Sequence, residues 1–273
     1  MSEFLNIFNY SFFQLAIVGV CLISVASAMI GTYIITRRLV AISGGVTHAC
    51  FGGLGLGYFL GVSPIAMAAV FAVASSLGVD WLSRRHRVRE DSAIAVIWAI
   101  GMAIGVLFVF LTPGYVPELN TFLFGNILTI NVNDIYVFAA FTIVLVLFFI
   151  FRFRQIVACA FDRDFAFVSG LPVRTITTTM TVLVAVCIVL TIRLVGVMLL
   201  MSMLSLPIMI AEVYVHRFKS LMLAAVCISL VSCLAGLFVG AVVDVPCSAL
   251  IVMFMAALYL IAKTIKIFLR PRM

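Results

Sequence analysis

Charge is what this chain has least of. Of its 273 residues only 10% are Asp, Glu, Lys or Arg, while 66% are hydrophobic, and the mean hydropathy is +1.33. A water-soluble domain carries about 25% charged residues, so a solvated globule is excluded. Catalytic signatures are missing as well. There is no GxxxxGK[ST] phosphate loop, no HExxH, no nucleophile elbow and no GxGxxG after a strand. The chain is therefore not expected to hydrolyse ATP or to be an enzyme by itself. Its seven cysteines, Cys21, Cys50, Cys159, Cys187, Cys227, Cys233 and Cys247, form no CxxC. That excludes a zinc knuckle and a disulfide framework, and they read as small packing residues. A cleavable signal peptide is not expected either, because MSEFLNIFNY has no basic region and the apolar run behind it is too long.

Long apolar runs are what the chain has instead. A membrane-spanning helix needs roughly 20 apolar residues. Nine such segments fall at about 11–35, 41–60, 64–82, 92–111, 135–151, 177–194, 196–214, 221–242 and 247–263. Only a residue or two separates 177–194 from 196–214, so eight spans with one re-entrant segment is the alternative. These runs are far longer than the roughly ten-residue alternating strands of a barrel. The expected fold is an all-α integral membrane bundle of eight or nine helices, a single transmembrane domain over 1–273.

The few basic residues are placed asymmetrically. Arg37 and Arg38 follow the first segment, and Arg84, Arg85, Arg87 and Arg89 follow the third. Arg152, Arg154, Arg163 and Arg174 follow the fifth, Arg217 and Lys219 the seventh, and Lys263, Lys266, Arg270 and Arg272 the ninth. Of seventeen Lys and Arg only Arg193 falls on the other side, where Glu118, Asp134 and Asp244 also lie. The positive-inside rule makes the basic loops cytoplasmic, with the N-terminus outside and the C-terminus inside. The net charge of +7 then reflects this asymmetry and anionic lipid headgroups, with no need for nucleic acid as a partner.

The second segment, ISGGVTHACFGGLGLGYFLG, is crowded with glycine. Gly53, Gly57 and Gly61 recur every four residues, and Gly101–Gly105 and Gly236–Gly240 repeat the spacing. Small residues at this interval let helix backbones approach closely in lipid. The bland reading is packing within the bundle; a subunit interface or substrate path is compatible with it. His48 sits within this field. An ionisable residue at membrane depth commonly faces a pathway, and imidazole is a transition-metal ligand. Alternatively, His48 is neutral and hydrogen-bonded to a backbone carbonyl or a neighbouring serine. Thr47 and Cys50 are close in sequence, although Cys50, two positions on, points elsewhere on an ideal helix.

Other polar residues have plainer readings. Asp80, Glu90 and Asp91 flank the basic loop as solvated partners or caps, Glu212 pairs with Arg217, and Asp244 caps a turn before Pro246. Arg193 snorkels. Met198, Met201, Met203 and Met209 read as packing rather than as a soft-metal stripe. Between about 152 and 176 lies the one sizeable basic loop, containing AFDRDFAFVSGLPVRTI. Asp162 is an N-cap for a helix of about 163–169, Gly170 suits its C-terminus and Pro172 stops it. Such a helix, presenting Phe165, Phe167 and Val168 among charges, is built to dock on a partner; lying flat on the membrane is the alternative.

Together these pieces resemble the permease subunit of the zinc/manganese ABC importers. The matching segments are RRLVAISGGVTHACFGGLGLGYFLG, EDSAIAVIWAIGMAIGVLF, LFGNILTI, AFDRDFAFVSGLPV, VGVMLLMSMLSLPIMIA and DVPCSALIV, in the family's order from about Arg37 to Val252. The most specific part is the histidine helix combined with the loop pattern Asp162, Ala166, Gly170, Leu171, Pro172. The resemblance implies a homodimer in the prokaryotic plasma membrane, lining a path for zinc or manganese. It implies two ABC ATPase subunits, which carry the ATP and dock on Asp162, Phe165, Ala166, Gly170, Leu171 and Pro172. It also implies an extracytoplasmic solute-binding protein that delivers the metal. His48, with Thr47, Gly44 and Cys50, would lie on the path. Many members have an Asp four residues before the histidine, where this chain has Gly44. Losing that hard oxygen ligand shifts the implied preference from manganese toward zinc or a non-chelating path. Ser248 and Glu212 also depart from the common pattern. The rival readings are a permease for a metal chelate, siderophore-like or cobalamin-like, and an ATP-independent secondary transporter. The latter would need intramembrane acids or a repeat pair that this chain does not show.

Overall fold

The computed structural model describes residues 10–86, 88–113, 125, 127, 130–243 and 245–269. Expectations for Arg87, Glu118, Asp244, Arg270 and Arg272 fall outside them. The described helices are α1 Ser11–Thr36, α2 Val40–Leu60, α3 Pro64–His86, α4 Glu90–Leu111 and α5 Val132–Phe161. They continue as α6 Arg163–Val168, α7 Val173–Glu212, α8 Phe218–Val243 and α9 Cys247–Leu269. No strand occurs among the described residues. All but the short α6 are long and apolar enough to cross a membrane, which makes eight candidate spans.

The expected segments 177–194 and 196–214 both fall in α7, a helix of 40 residues interrupted at Gly196 (φ 79°, ψ 172°). A straight helix of that length would reach about 60 Å, twice the hydrocarbon thickness. Left-handed backbone at Gly196 breaks it instead, at a residue with no Cβ to oppose that conformation.

The chain forms two compact units. One draws on Met1–Thr32, Thr121–Val144 and Leu194–Met273, the other on Tyr33–Asn120 and Leu145–Arg193. In the first, α8 and α9 form a hairpin closed by glycine. A side chain on Gly236 would strike Ile251, and one on Gly240 would strike Cys247. The second arm of α7 lies on α1, with Leu204 and Ile208 against Gly31. At the end of that arm, Lys266 donates to the Val213 carbonyl and Tyr214 Oη donates to the Ala262 carbonyl at 3.0 Å. Lys263 and Lys266 of α9 therefore share one end of the unit with Arg217 and Lys219. Lys266 takes the place expected for an ion pair at this edge, for Glu212 and Arg217 form none among the described residues. Met203 is buried and accepts from Cys233 and Ser229, whereas Met198 is half exposed, so the methionines face different surroundings. Five cysteines are buried: Cys50, Cys159, Cys187, Cys233 and Cys247.

The second unit is organised around α2. Added side chains at Gly53 and Gly57 would meet the α3 backbone at Met67, Ala68 and Pro64. Those at Gly52 and Gly55 would meet the α4 carbonyls of Gly101 and Gly105. Reciprocally, Gly101 lies against Ala49 and Gly105 against Phe51. With van der Waals packing the main force between helices in lipid, such backbone proximity is what holds this trio together. Gly61, placed by periodicity on the same stripe, has a different role. It sits at φ +67° with open space around it and closes α2, its N–H on Tyr58 O and that of Val62 on Gly57 O.

Candidate functional site

Helix α6 is determined locally at both ends. Asp162 has extended backbone, and its carboxylate accepts from the N–H groups of Asp164 at 3.0 Å and Phe165 at 2.9 Å. This satisfies two donors that a helix start leaves open. The helix ends one residue earlier than the sequence pattern predicts, at Val168. Gly170 follows at φ +75°, its N–H on Phe167 O at 3.0 Å and that of Leu171 on Ala166 O at 3.1 Å. That pair of bonds is the Schellman arrangement. Pro172 immediately precedes α7, its carbonyl accepting from the Ile176 N–H. Ala166 is fully buried, whereas Phe165, Phe167 and Val168 are 67%, 74% and 85% exposed. A six-residue helix with three large apolar side chains in the open presents a contact surface rather than a core element.

The root of α6 is anchored by charge. Arg163, its first residue, bonds Glu90 Oε1 at 3.0 Å and approaches Asp80 Oδ1 at 3.9 Å. Glu90 also takes Arg37 at 3.3 Å, and Asp80 takes Arg84 at 2.7 Å. Arg84 further donates to Thr177 Oγ1 at 2.6 Å. Arg37 is almost buried and also donates to Tyr33 Oη. Burial draws the Arg163 guanidinium below its ordinary value; Arg37 adds to this and Glu90 opposes it. Asp80 and Glu90 are thus not merely solvated partners of the basic loop. Only Arg84–Asp80, four residues apart on α3, had a signal in the sequence. The pairs reaching Arg163 span 73 and 83 positions and have no local signature.

His48 lies midway along α2 and is partly buried. Its ring stacks on the Trp98 indole of α4, centroids 4.6 Å apart and planes 1° from parallel. Covering one face leaves the ring edge, where the nitrogens are, to interact. Gly44, Thr47 and Cys50 are buried, and the Thr47 hydroxyl is spent on the Ser43 carbonyl at 2.6 Å. Among the described residues no three His, Cys, Asp or Glu groups converge as a metal cage. Trp98 carried no signal in the sequence, because only the parallel run of α2 and α4 brings it to His48.

Eight helices long and apolar enough to cross a membrane, among the described residues, define a polytopic membrane protein. The chain belongs to the ABC 3 transport family, whose sequence profile matches residues 9–266. It is 34% identical over 254 residues to an uncharacterized membrane protein of Synechocystis, covering 93% of this chain and 90% of that protein. It is 27% identical over 257 residues to the manganese transport system membrane protein MntC of Halalkalibacterium halodurans, covering 94% and 88%. Its fold matches a chain of PsaBC from Streptococcus pneumoniae, solved in complex with Fab, with a TM-score of 0.83 over 96% of this chain and 94% of that one at 24% identity. The family resemblance, the all-α fold and the multi-pass membrane character read from the sequence therefore stand.

Proposed function

We propose that this chain is the permease subunit of an ATP-driven importer of divalent transition-metal ions, manganese or zinc, in a prokaryotic plasma membrane. Two copies line the path, and each docks an ABC ATPase on α6. An extracytoplasmic binding protein supplies the ion. The observation that carries this reading is α6: a capped, charge-anchored helix whose Phe165, Phe167 and Val168 are exposed, in a chain of the ABC 3 family. The relatives named for manganese transport support the substrate class.

The basic residues orient the molecule. Arg37, Arg84 and Arg163 meet at one end of the second unit, and Lys219, Lys263 and Lys266 belong to one end of the first. The positive-inside rule places both ends in the cytoplasm, where ATP is available to a partner on α6. Hydrolysis on that partner then drives alternating access, and the chain itself is non-catalytic. Facing His48 residues from two copies would offer imidazole nitrogens to a passing ion without a closed cage. A transported ion must leave as readily as it enters.

Co-expression with candidate ATPase and binding-protein subunits, followed by ion uptake into proteoliposomes, tests the reading. The expected result is ATP-dependent uptake of manganese or zinc. ATPase activity without uptake of either free ion would point to a chelate, and failure to bind any ATPase would point to a secondary transporter.

A further inference from the structure

The charged cluster at the root of α6 reaches four other helical segments. Arg163 opens α6, Glu90 opens α4, and Asp80 and Arg84 lie in the last two turns of α3. Arg37 follows α1 directly, and Thr177 lies in the first turns of α7. Helices α3 and α4 are the two whose backbones press on the glycines of α2, the helix of His48. The ion pairs thus connect α6 directly to the two helices that lie against α2.

The cluster is also unevenly filled. Three guanidiniums, Arg37, Arg84 and Arg163, face two carboxylates, Asp80 and Glu90. Arg163 Nε is buried with no hydrogen-bond partner among the described residues. A small cavity opens between Tyr33, Arg37, Asp80, Glu90 and Arg163. Glu90 is already shared between two arginines, and Asp80 is bonded to one and 3.9 Å from another. With more donors than acceptors and space beside them, the same groups can be paired in more than one way. A switching element needs such discrete alternatives.

We infer that the Arg163–Glu90–Arg37–Asp80 cluster is the linkage that transmits movement of α6 to α3 and α4, with Glu90 as a positioning residue shared between two arginines. This rests on the proposed function. In that cycle Arg163 moves with the docked ATPase, Glu90 follows or releases it, and Arg37 holds Glu90 when it is released.

The test uses the reconstituted complex of permease, ATPase and binding protein. Its readouts are ions imported per ATP hydrolysed and the nucleotide-driven change in distance between spin labels at Phe110→Cys of the two permease copies, at the end of α4 far from the cluster, with Cys21 and Cys227 replaced by Ser. Glu90→Gln is expected to assemble and hydrolyse ATP, while uptake per ATP falls on the order of tenfold and the distance change is lost. The conservative Glu90→Asp, which keeps a carboxylate between Arg37 and Arg163, should retain at least half of both. Unchanged coupling in Glu90→Gln overturns the inference. So does assembly lost in Glu90→Gln and Glu90→Asp alike, since the cluster would then be only a structural clamp. If the wild-type complex hydrolyses ATP but imports neither ion, the substrate reading is at fault and the label distances alone decide the linkage. If no ATPase binds, both fall together.

Discussion

His48 and Trp98 show how much one contact can specify. A parallel stack at 4.6 Å contributes about 0.5–1.5 kcal/mol, enough to favour one ring orientation without locking it. The sequence marks His48 as unusual because an ionisable group at membrane depth is costly. It says nothing of the indole fifty residues away. Replacing His48 by Ala is expected to lower manganese or zinc uptake at least several-fold while the complex assembles normally. The imidazole is only partly buried, and Ala is the better helix former. Uptake into proteoliposomes, normalised to ATPase co-purified, is the measurement. Unchanged uptake would remove His48 from the path. Glu90 is the contrasting case. Leaving one half of a fully buried ion pair alone costs about 3–5 kcal/mol, but Glu90 and Arg163 keep 28% and 31% of their side-chain surface in contact with solvent. The local cost is therefore well below that range.

At the scale of the element, α6 is short enough that its caps decide whether it forms. Six residues cannot sustain a helix in water by propensity. The Asp162 cap, the paired bonds after Val168 and the buried Ala166 do so instead. Gly170 stands at φ +75° with nothing within 4 Å of an added Cβ, so its requirement is conformational and not one of space. Alanine there costs about 1–2 kcal/mol for the left-handed backbone. Proline is excluded outright, since its φ is fixed near −65° and it lacks the N–H that bonds Phe167 O. Gly170→Pro is accordingly expected to abolish ATPase co-purification or to leave hydrolysis uncoupled from transport. Gly170→Ala should show a partial loss. Pull-down of the ATPase followed by uptake per ATP separates these outcomes, and intact coupling in the proline variant would refute α6 as the docking element.

For the whole molecule, topology is the open arithmetic. If α7 crosses once, the connection after Glu212 is on the opposite side from α6. If Gly196 divides α7 into two passes, both connections share a side, as the basic residues require. Single cysteines at Ser63, Val168 and Lys219, with Cys21 and Cys227 replaced by Ser, distinguish the two. In right-side-out vesicles a membrane-impermeant maleimide is expected to label Ser63→Cys at once. Val168→Cys and Lys219→Cys should react only after permeabilisation. Labelling of Lys219→Cys from outside would mean a single pass and overturn the two-pass arrangement.

Composition alone determined that this chain lives in a membrane as helices, because 66% hydrophobic residues in long runs leave backbone polar groups only each other to bond. The sequence also determined where α6 starts and, to within one residue, where it stops, since capping is chemistry between residues a few positions apart. Glycine spacing pointed to the close helix contacts, and the charge asymmetry to an orientation. Other features belong to the tertiary structure. Which glycines meet which backbone depends on how neighbouring helices pack, and the indole over His48 and the sharing of Glu90 between Arg37 and Arg163 depend on partners fifty or more positions apart. Packing is the only force that brings such groups together, so only the folded chain displays them.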